Sequence, residues 1–163
     1  MFTSVTGNTE ILANTILNSL PLKKCTYFGK FNPEKVNDSD LIFVGFWTDK
    51  GDCTEDVKKF LNGLENKRIA IFGTAGYGNS QKYFEDILSK VSSNISQNNK
   101  FIGSFMCAGK INEKAKEKYA SNEKNNKDIE IMLQNYDNSL SHPNVRDLVN
   151  IRDFARDMYY FIQ

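Results

Sequence analysis

Metal and disulfide chemistry has little to work with in this sequence. Its three cysteines, Cys25, Cys53 and Cys107, stand far apart without a C-x-x-C spacing, and His142 is the only histidine. Such a set points away from a zinc site and from a disulfide framework. Isolated thiols suit a reducing compartment, so the expected location is the cytoplasm. Charge of one sign is missing too. With 21 basic and 20 acidic residues the net charge is +1, which provides no overall field to gather nucleic acid or anionic lipid. Partners must then be met through local patches. No apolar run approaches the length that spans a bilayer, and no basic segment with an apolar core opens the chain. The nucleotide pattern G-x-x-x-x-G-K-[ST] is absent, and no internal repeat is visible.

What is present is a regular alternation. The 163 residues, 40% hydrophobic and 12% aromatic, can bury one substantial core, so residues 1–163 are read as a single domain. Leu12, Ile16 and Leu20 recur every fourth residue. Val57, Phe60, Leu61 and Leu64 repeat at i, i+3, i+4, i+7, as do Phe84, Ile87, Leu88 and Val91. These spacings predict amphipathic helices. Between them lie the continuous apolar runs Leu41 to Phe46, Ile69 to Gly73 and Phe101 to Cys107, which read as strands buried on both faces. A shorter run, Cys25 to Phe28, reads as an edge strand. A last helix is expected from about Asn144 to Ile162, with Leu148, Ile151, Ala155, Met158 and Ile162 on one face. Residues Asn112 to Asn138 are rich in Lys, Asn and Glu but keep helical spacing at Ile129, Met132, Leu133 and Tyr136, a surface helical excursion. Strand and helix in alternation predict an open three-layer α/β domain around a parallel sheet.

In such a sheet, ligands bind beyond the carboxyl ends of the strands. The loops to inspect are Ser4 to Thr9, Phe46 to Asp52, Thr74 to Asn79 and Cys107 to Lys110. The first offers the hydroxyls of Ser4, Thr6 and Thr9, with Gly7 for close approach and free N–H groups where a helix opens, a combination suited to phosphate. An ordinary helix cap is the competing reading. Trp47 follows one buried strand, and Tyr77 stands among small residues after the next. Two aromatics in neighbouring loops suit a flat ring held by stacking, while each taken singly is also consistent with core filling. Asp49, Asp52, Glu55 and Asp56 face only Lys50 in their stretch, which makes either an acidic docking rim or a solvated helix start, with Asp52 and Glu55 spaced as a capping box. Cys53 lacks a neighbouring base and reads as an inert thiol, and His142 before Pro143 reads as a loop or cap residue.

The loop Ser4-Val5-Thr6-Gly7-Asn8-Thr9 resembles the [ST]-x-T-G-x-T phosphate loop of the flavodoxins, and "LIFVGFWTDKG" and "IAIFGTAGYG" resemble that family's two ring loops in the same order. The resemblance covers essentially the whole chain. Compact flavodoxin-domain proteins of anaerobic bacteria are the nearest in kind, among them the accessory flavodoxins of bacterial bilirubin reduction. It implies a flavodoxin-like fold with a five-stranded parallel sheet of order 2-1-3-4-5, non-covalent FMN, and electron transfer to a redox partner protein. Carried over by position, Ser4, Thr6, Gly7, Asn8 and Thr9 would hold the FMN phosphate. Trp47 and Tyr77 would flank the ring, and Thr48, Gly51, Thr74, Ala75 and Gly76 would supply further contacts. No catalytic residue and no metal is implied. An FMN-dependent NAD(P)H:quinone-type oxidoreductase stays open as the alternative. A flavin-free receiver or binding module on the same fold is a third reading, weakened because the strand ends near Thr3-Ser4 and Gly45-Phe46 lack an acidic cluster. The family usually has several apolar residues before the phosphate loop, and here Met1-Phe2-Thr3 precede it. The expectation is a shortened first strand, from a late start codon or an N-terminally shortened chain.

Overall fold

The computed structural model describes residues 1–77, 80–122 and 126–160. Three parallel strands, β1 (Leu41–Trp47), β2 (Arg68–Ala75) and β3 (Lys100–Ala108), lie side by side in the order β1-β2-β3. Leu41 sits opposite Arg68 and Trp47 opposite Thr74. The β2–β3 ladder slips by one residue between Ile69 and Ala70 and then runs to Ala75 opposite Ala108. Each strand is joined to the next by a crossover helix, α2 (Glu55–Asn62) and then α3 (Gln81–Ser92), because parallel neighbours cannot be linked by a tight turn.

Helix α1 (Asn8–Ser19) precedes the sheet, and α6 (Val145–Tyr160) follows it. The side chains sort by face. Ile42, Val44, Phe46, Ile69 and Ile71 pack with Val57, Phe60, Leu61, Ile87 and Val91 of α2 and α3. On the other face Phe72 and Cys107 pack with Leu12, Ala13 and Ile16 of α1 and with Ile151 and Ala155 of α6. Helix, sheet and helix therefore form three layers. Both faces of β2 are covered, which explains its unbroken apolar run. The last helix starts one residue after the expected Asn144, which instead caps it: the Asn144 side chain accepts a hydrogen bond from Asp147 N–H at 3.1 Å. Ile162, expected on its apolar face, lies outside the described residues, as do Gly78 and Asn79 of the third loop.

The excursion is two helices, α4 (Glu113–Asn122) and α5 (Asn126–Ser139). Met132 is buried, Ile129 and Tyr136 are half-buried, and Leu133 is exposed. Polar composition concealed only the length of these helices, since the spacing of their apolar residues was intact.

Among the described residues the five expected strands are seen as three strands, with an isolated bridge where the first was expected. Phe2 pairs with Gly45 in parallel sense, with Gly45 N–H donating to Met1 O at 2.9 Å and Thr3 N–H donating to Gly45 O at 3.1 Å. On its other side Phe2 N–H donates to Gly29 O at 2.9 Å. Three residues before the loop allow too few ladder bonds to make a regular strand. Cys25 to Phe28, expected as an edge strand, forms no strand and lies between the short 3₁₀ turns Leu22–Lys24 and Pro33–Lys35. Among the described residues no helix is long and apolar enough to cross a membrane.

Candidate functional site

The phosphate-type loop turns at Gly7, whose φ of +87° is a conformation that side chains with a Cβ rarely adopt. A Cβ added there would meet nothing within 4 Å. The space beside Gly7 is therefore open. Ile11 N–H makes the first helical bond, to Gly7 O at 3.0 Å. The N–H groups of Asn8 and Thr9 precede it and have no carbonyl of the helix to donate to. Ser4 Oγ accepts from Glu10 N–H at 3.4 Å, and Thr6 stands exposed beside it. The loop thus combines backbone donors with the Ser4 and Thr6 hydroxyls at the positive end of the α1 dipole. That is a chemistry suited to a phosphate group.

Two side chains expected to hold phosphate are committed elsewhere. Asn8 Nδ2 donates to Thr6 Oγ1 at 2.8 Å and to Lys110 O at 2.9 Å, which uses both of its amide hydrogens. Thr9, only 1% exposed, lies 3.3 Å from Phe46 O and 3.0 Å from Thr74 Oγ1. Asn8 and Thr9 therefore offer a ligand their backbone N–H groups. Thr74 is likewise buried, its hydroxyl on Thr9 and its carbonyl accepting Thr48 N–H at 3.0 Å. These bonds place the start of α1 against the carboxyl ends of β1 and β2, a juxtaposition that residues 65 positions apart do not advertise.

Trp47 ends β1, and Tyr77 comes three residues after Thr74, its neighbour in register. Both rings are half-buried. Thr48, next to Trp47 in the chain, is half-buried, and its hydroxyl oxygen is shut off from solvent with no protein partner. An orphan hydroxyl next to a strand end is costly unless another molecule meets it. Ala75 and Gly76 complete the second ring loop. Ala75 is buried, and Gly76 has the Ile111 side chain directly against it.

The stretch after Thr48 is a tight hairpin. Asp49 N–H donates to Asp52 O at 2.8 Å and Asp52 N–H to Asp49 O at 3.0 Å, with Lys50 and Gly51 both at positive φ, 49° and 77°. Two central residues of that kind match the twist of paired strands, and Gly takes the second place without strain. Lys90 of α3 donates to Gly51 O at 3.2 Å and ties the turn down. The capping box anticipated from Asp52 and Glu55 does not form. Thr54 occupies the cap position of α2, while Asp52 accepts Cys53 N–H at 2.7 Å and pairs with Lys58 at 3.0 Å. Burial pushes the Asp52 carboxyl up, but the Lys58 ammonium and Cys53 N–H outweigh it and hold it below its ordinary value of 3.8. Lys58 also pairs with Glu55 at 2.9 Å, and its own pKa is raised by Glu55 first and Asp52 next. Of the four acids of the rim, Asp49 and Asp56 remain exposed without that neutralisation.

Burial pushes the Cys53 thiol up to about 12, with the Asp52 charge adding to it, and burial raises Cys107 as well. Burial therefore disfavours the thiolate at both. His142 Nδ1 lies 2.6 Å from Asp147 Oδ2, which also accepts Asn144 N–H at 2.8 Å, so the histidine belongs to the start of α6. A cavity of about 540 Å³ lies at the opposite, amino end of the strands, lined by Phe2, Ile16, Tyr27, Leu41, Phe43 and Arg68 among others. None of the residues expected to meet a flavin lines it. Sequence reasoning missed Ile111, whose side chain lies against Gly76, and Ser139, whose hydroxyl accepts the Ile111 N–H from a distant helix.

The flavodoxin domain model matches residues 1–156. Over 165 residues the chain is 34% identical to the flavodoxin-like domain-containing protein BilS of Clostridioides difficile (strain CD3), covering 97% of this chain and 93% of that protein. Similarity to the flavodoxin-like domain-containing protein BilS of Clostridium symbiosum (strain WAL-14163) is 31% over 173 residues, with coverage of 94% and 91%. Among solved structures, oxidised Flavodoxin 2 from Bacillus cereus aligns with a TM-score of 0.53 across 98% of this chain and 95% of that one, at 15% identity, which is a likeness of fold. A match that begins at residue 1 and reaches well into α6 leaves little of the sequence outside it, and the chain belongs to the flavodoxin domain family.

Proposed function

We propose that this chain binds FMN and shuttles electrons to a redox partner protein. The observation that carries the reading is the loop at the start of α1, where Gly7 at positive φ has open space beside it, the Asn8 and Thr9 N–H groups have no helical carbonyl to donate to, and the Ser4 and Thr6 hydroxyls stand close in the chain. Ser4, Thr6, Gly7, Asn8 and Thr9 would hold the phosphate, the last two through their backbones. Trp47 and Tyr77 would flank the ring, with Thr48, Gly51, Thr74, Ala75 and Gly76 forming its surroundings. Bound flavin supplies the redox chemistry, and the protein orients and tunes it. The loop contains no lysine or arginine, so a bound phosphate keeps its charge largely uncompensated, and aromatic faces disfavour an added electron. Both effects lower the potential.

The five-strand order 2-1-3-4-5 belongs to the same proposal. In its favour, the Met1–Thr3 segment is bonded to β1 at Gly45 on one side and to Gly29 on the other, which is the order that the first two strands would take. A basic partner would dock at the Asp49/Asp52/Glu55/Asp56 rim, steered chiefly by Asp49 and Asp56. A bilirubin-reducing enzyme is the acceptor to try first, on the resemblance to accessory flavodoxins of that reaction.

Titration of apoprotein with FMN and with riboflavin tests the reading. FMN should bind at least tenfold more tightly, about 1.4 kcal/mol, because only FMN reaches the loop. Equal affinities would return the loop to plain helix capping. Rapid turnover of NAD(P)H with a free quinone would favour the oxidoreductase over the carrier.

A further inference from the structure

We infer that the hydrogen bond between Ser139 and Ile111 sets the separation of the phosphate loop from the second ring loop, which makes Ser139 a positioning residue supplied by the α4–α5 excursion. The inference rests on the flavin reading above. Both loops lean on a single crosspiece, residues Gly109 to Ile111, which follows directly on β3. Toward the phosphate loop, Asn8 Nδ2 donates to Lys110 O at 2.9 Å, and a Cβ on Gly109 would meet that same nitrogen at 2.8 Å. Toward the ring loop, Gly109 N–H donates to Ala75 O at 2.9 Å, and a Cβ on Gly76 would meet Ile111 Cγ1 at 2.9 Å. The crosspiece therefore touches both loops with no slack on either side.

What holds it from behind is α5. Ile111 is 5% exposed, and its N–H donates to Ser139 Oγ at 3.1 Å. Ser139 is 2% exposed, and its hydroxyl donates onward to Tyr136 O at 2.7 Å. The strand ladder ends at Ala75 opposite Ala108, so beyond Gly109 the sheet no longer places the backbone. A buried N–H that loses its acceptor shifts to find another. Without the hydroxyl, Ile111 moves away from Gly76 and releases Lys110 O from the geometry in which Asn8 grips it.

A ligand senses that separation only if it spans both loops. FMN does so, whereas riboflavin, without the phosphate, reaches the ring loop alone. Ser139→Ala should therefore weaken FMN roughly tenfold while riboflavin changes by less than about twofold, and Ser139→Thr, which keeps the hydroxyl, should restore the FMN affinity. A merely structural role would weaken both flavins together. An unchanged ratio of FMN to riboflavin affinity in Ser139→Ala overturns the inference. Should that variant fail to fold, amide hydrogen exchange at Ile111 in the unmodified protein decides: FMN should protect it more than riboflavin does, and equal protection overturns the proposal. Equal affinity of the unmodified protein for the two flavins would sink the phosphate reading itself and this inference with it, an outcome distinct from an unchanged ratio between variant and parent.

Discussion

The Thr9 hydroxyl lies 3.0 Å from the Thr74 hydroxyl, both buried, and 3.3 Å from the carbonyl of Phe46. One side chain near the start of α1 thereby joins the carboxyl ends of β1 and β2. The loop that opens α1 is thus built onto the sheet and does not hang from the helix alone.

Replacing Thr9 with Val keeps the volume but removes the hydroxyl shared with Thr74 and Phe46. The variant should lose about 1–3 kcal/mol of stability, since a buried polar group is left unmatched. Urea unfolding reads this directly. An unchanged midpoint would mean that the pair is not maintained in solution.

At Gly7 the constraint is the backbone itself, because a Cβ meets no atom within 4 Å. Gly7→Ala should cost about 1–2 kcal/mol for holding an L-residue at positive φ. Gly7→Asn should recover much of that, as Asn tolerates the left-handed region. FMN affinity should fall in the same order. If Ala and Asn were equally harmful, a steric clash with the ligand would be the better explanation.

Thiol reactivity should separate the three cysteines. Cys25 is exposed, whereas Cys53 and Cys107 are each 4% exposed with thiols held protonated by burial. A disulfide-exchange reagent at pH 8 should therefore titrate one thiol per native chain and three after denaturation. A second fast thiol in the native protein would contradict the packing of β3 or of the segment before α2.

The acidic rim divides in two. Asp49→Asn should slow electron exchange with a basic partner mainly at low salt, where exposed charges steer encounter. Asp52→Asn should instead act on stability, because its carboxylate already serves Lys58 and Cys53. Its folded pKa lies below 3.8, so the unfolded chain takes up the proton first as pH falls. The contribution is complete above about pH 5 and is lost as the pH drops through 3.8 toward the lower folded value. Unfolding curves between pH 6 and 3 should be flatter for the variant than for the parent protein. Parallel curves would remove Asp52 from the acid response.

Much of this protein was legible without coordinates. Continuous apolar runs alternating with 3.6-residue spacing read as strands between helices, and β1, β2 and β3 appear where those runs stand. Burial on both faces holds only for β2: β1 mixes buried with half-buried residues, and β3 starts exposed at Lys100 and Phe101 and is half-buried over most of its length. The turn that opens α1 was visible because Gly7 among hydroxyls, just ahead of an apolar-periodic segment, marks a helix start, and the structure has Gly7 there at positive φ. Tertiary structure decided what the sequence leaves free. Asp52 fits a local capping pattern, but Lys58 can reach it, and an ion pair with a backbone bond outcompetes the cap. Asn8 and Thr9 read as ligand side chains, whereas partners at Lys110, Phe46 and Thr74 claim them, because a buried amide or hydroxyl takes the nearest protein partner. Ser139 carries no signal in its own neighbourhood, and its place behind Ile111 exists only once α5 has folded back. Periodicity is a property of neighbours in the chain and survives translation into structure; hydrogen bonds between distant residues depend on which surfaces the packing of the layers brings together.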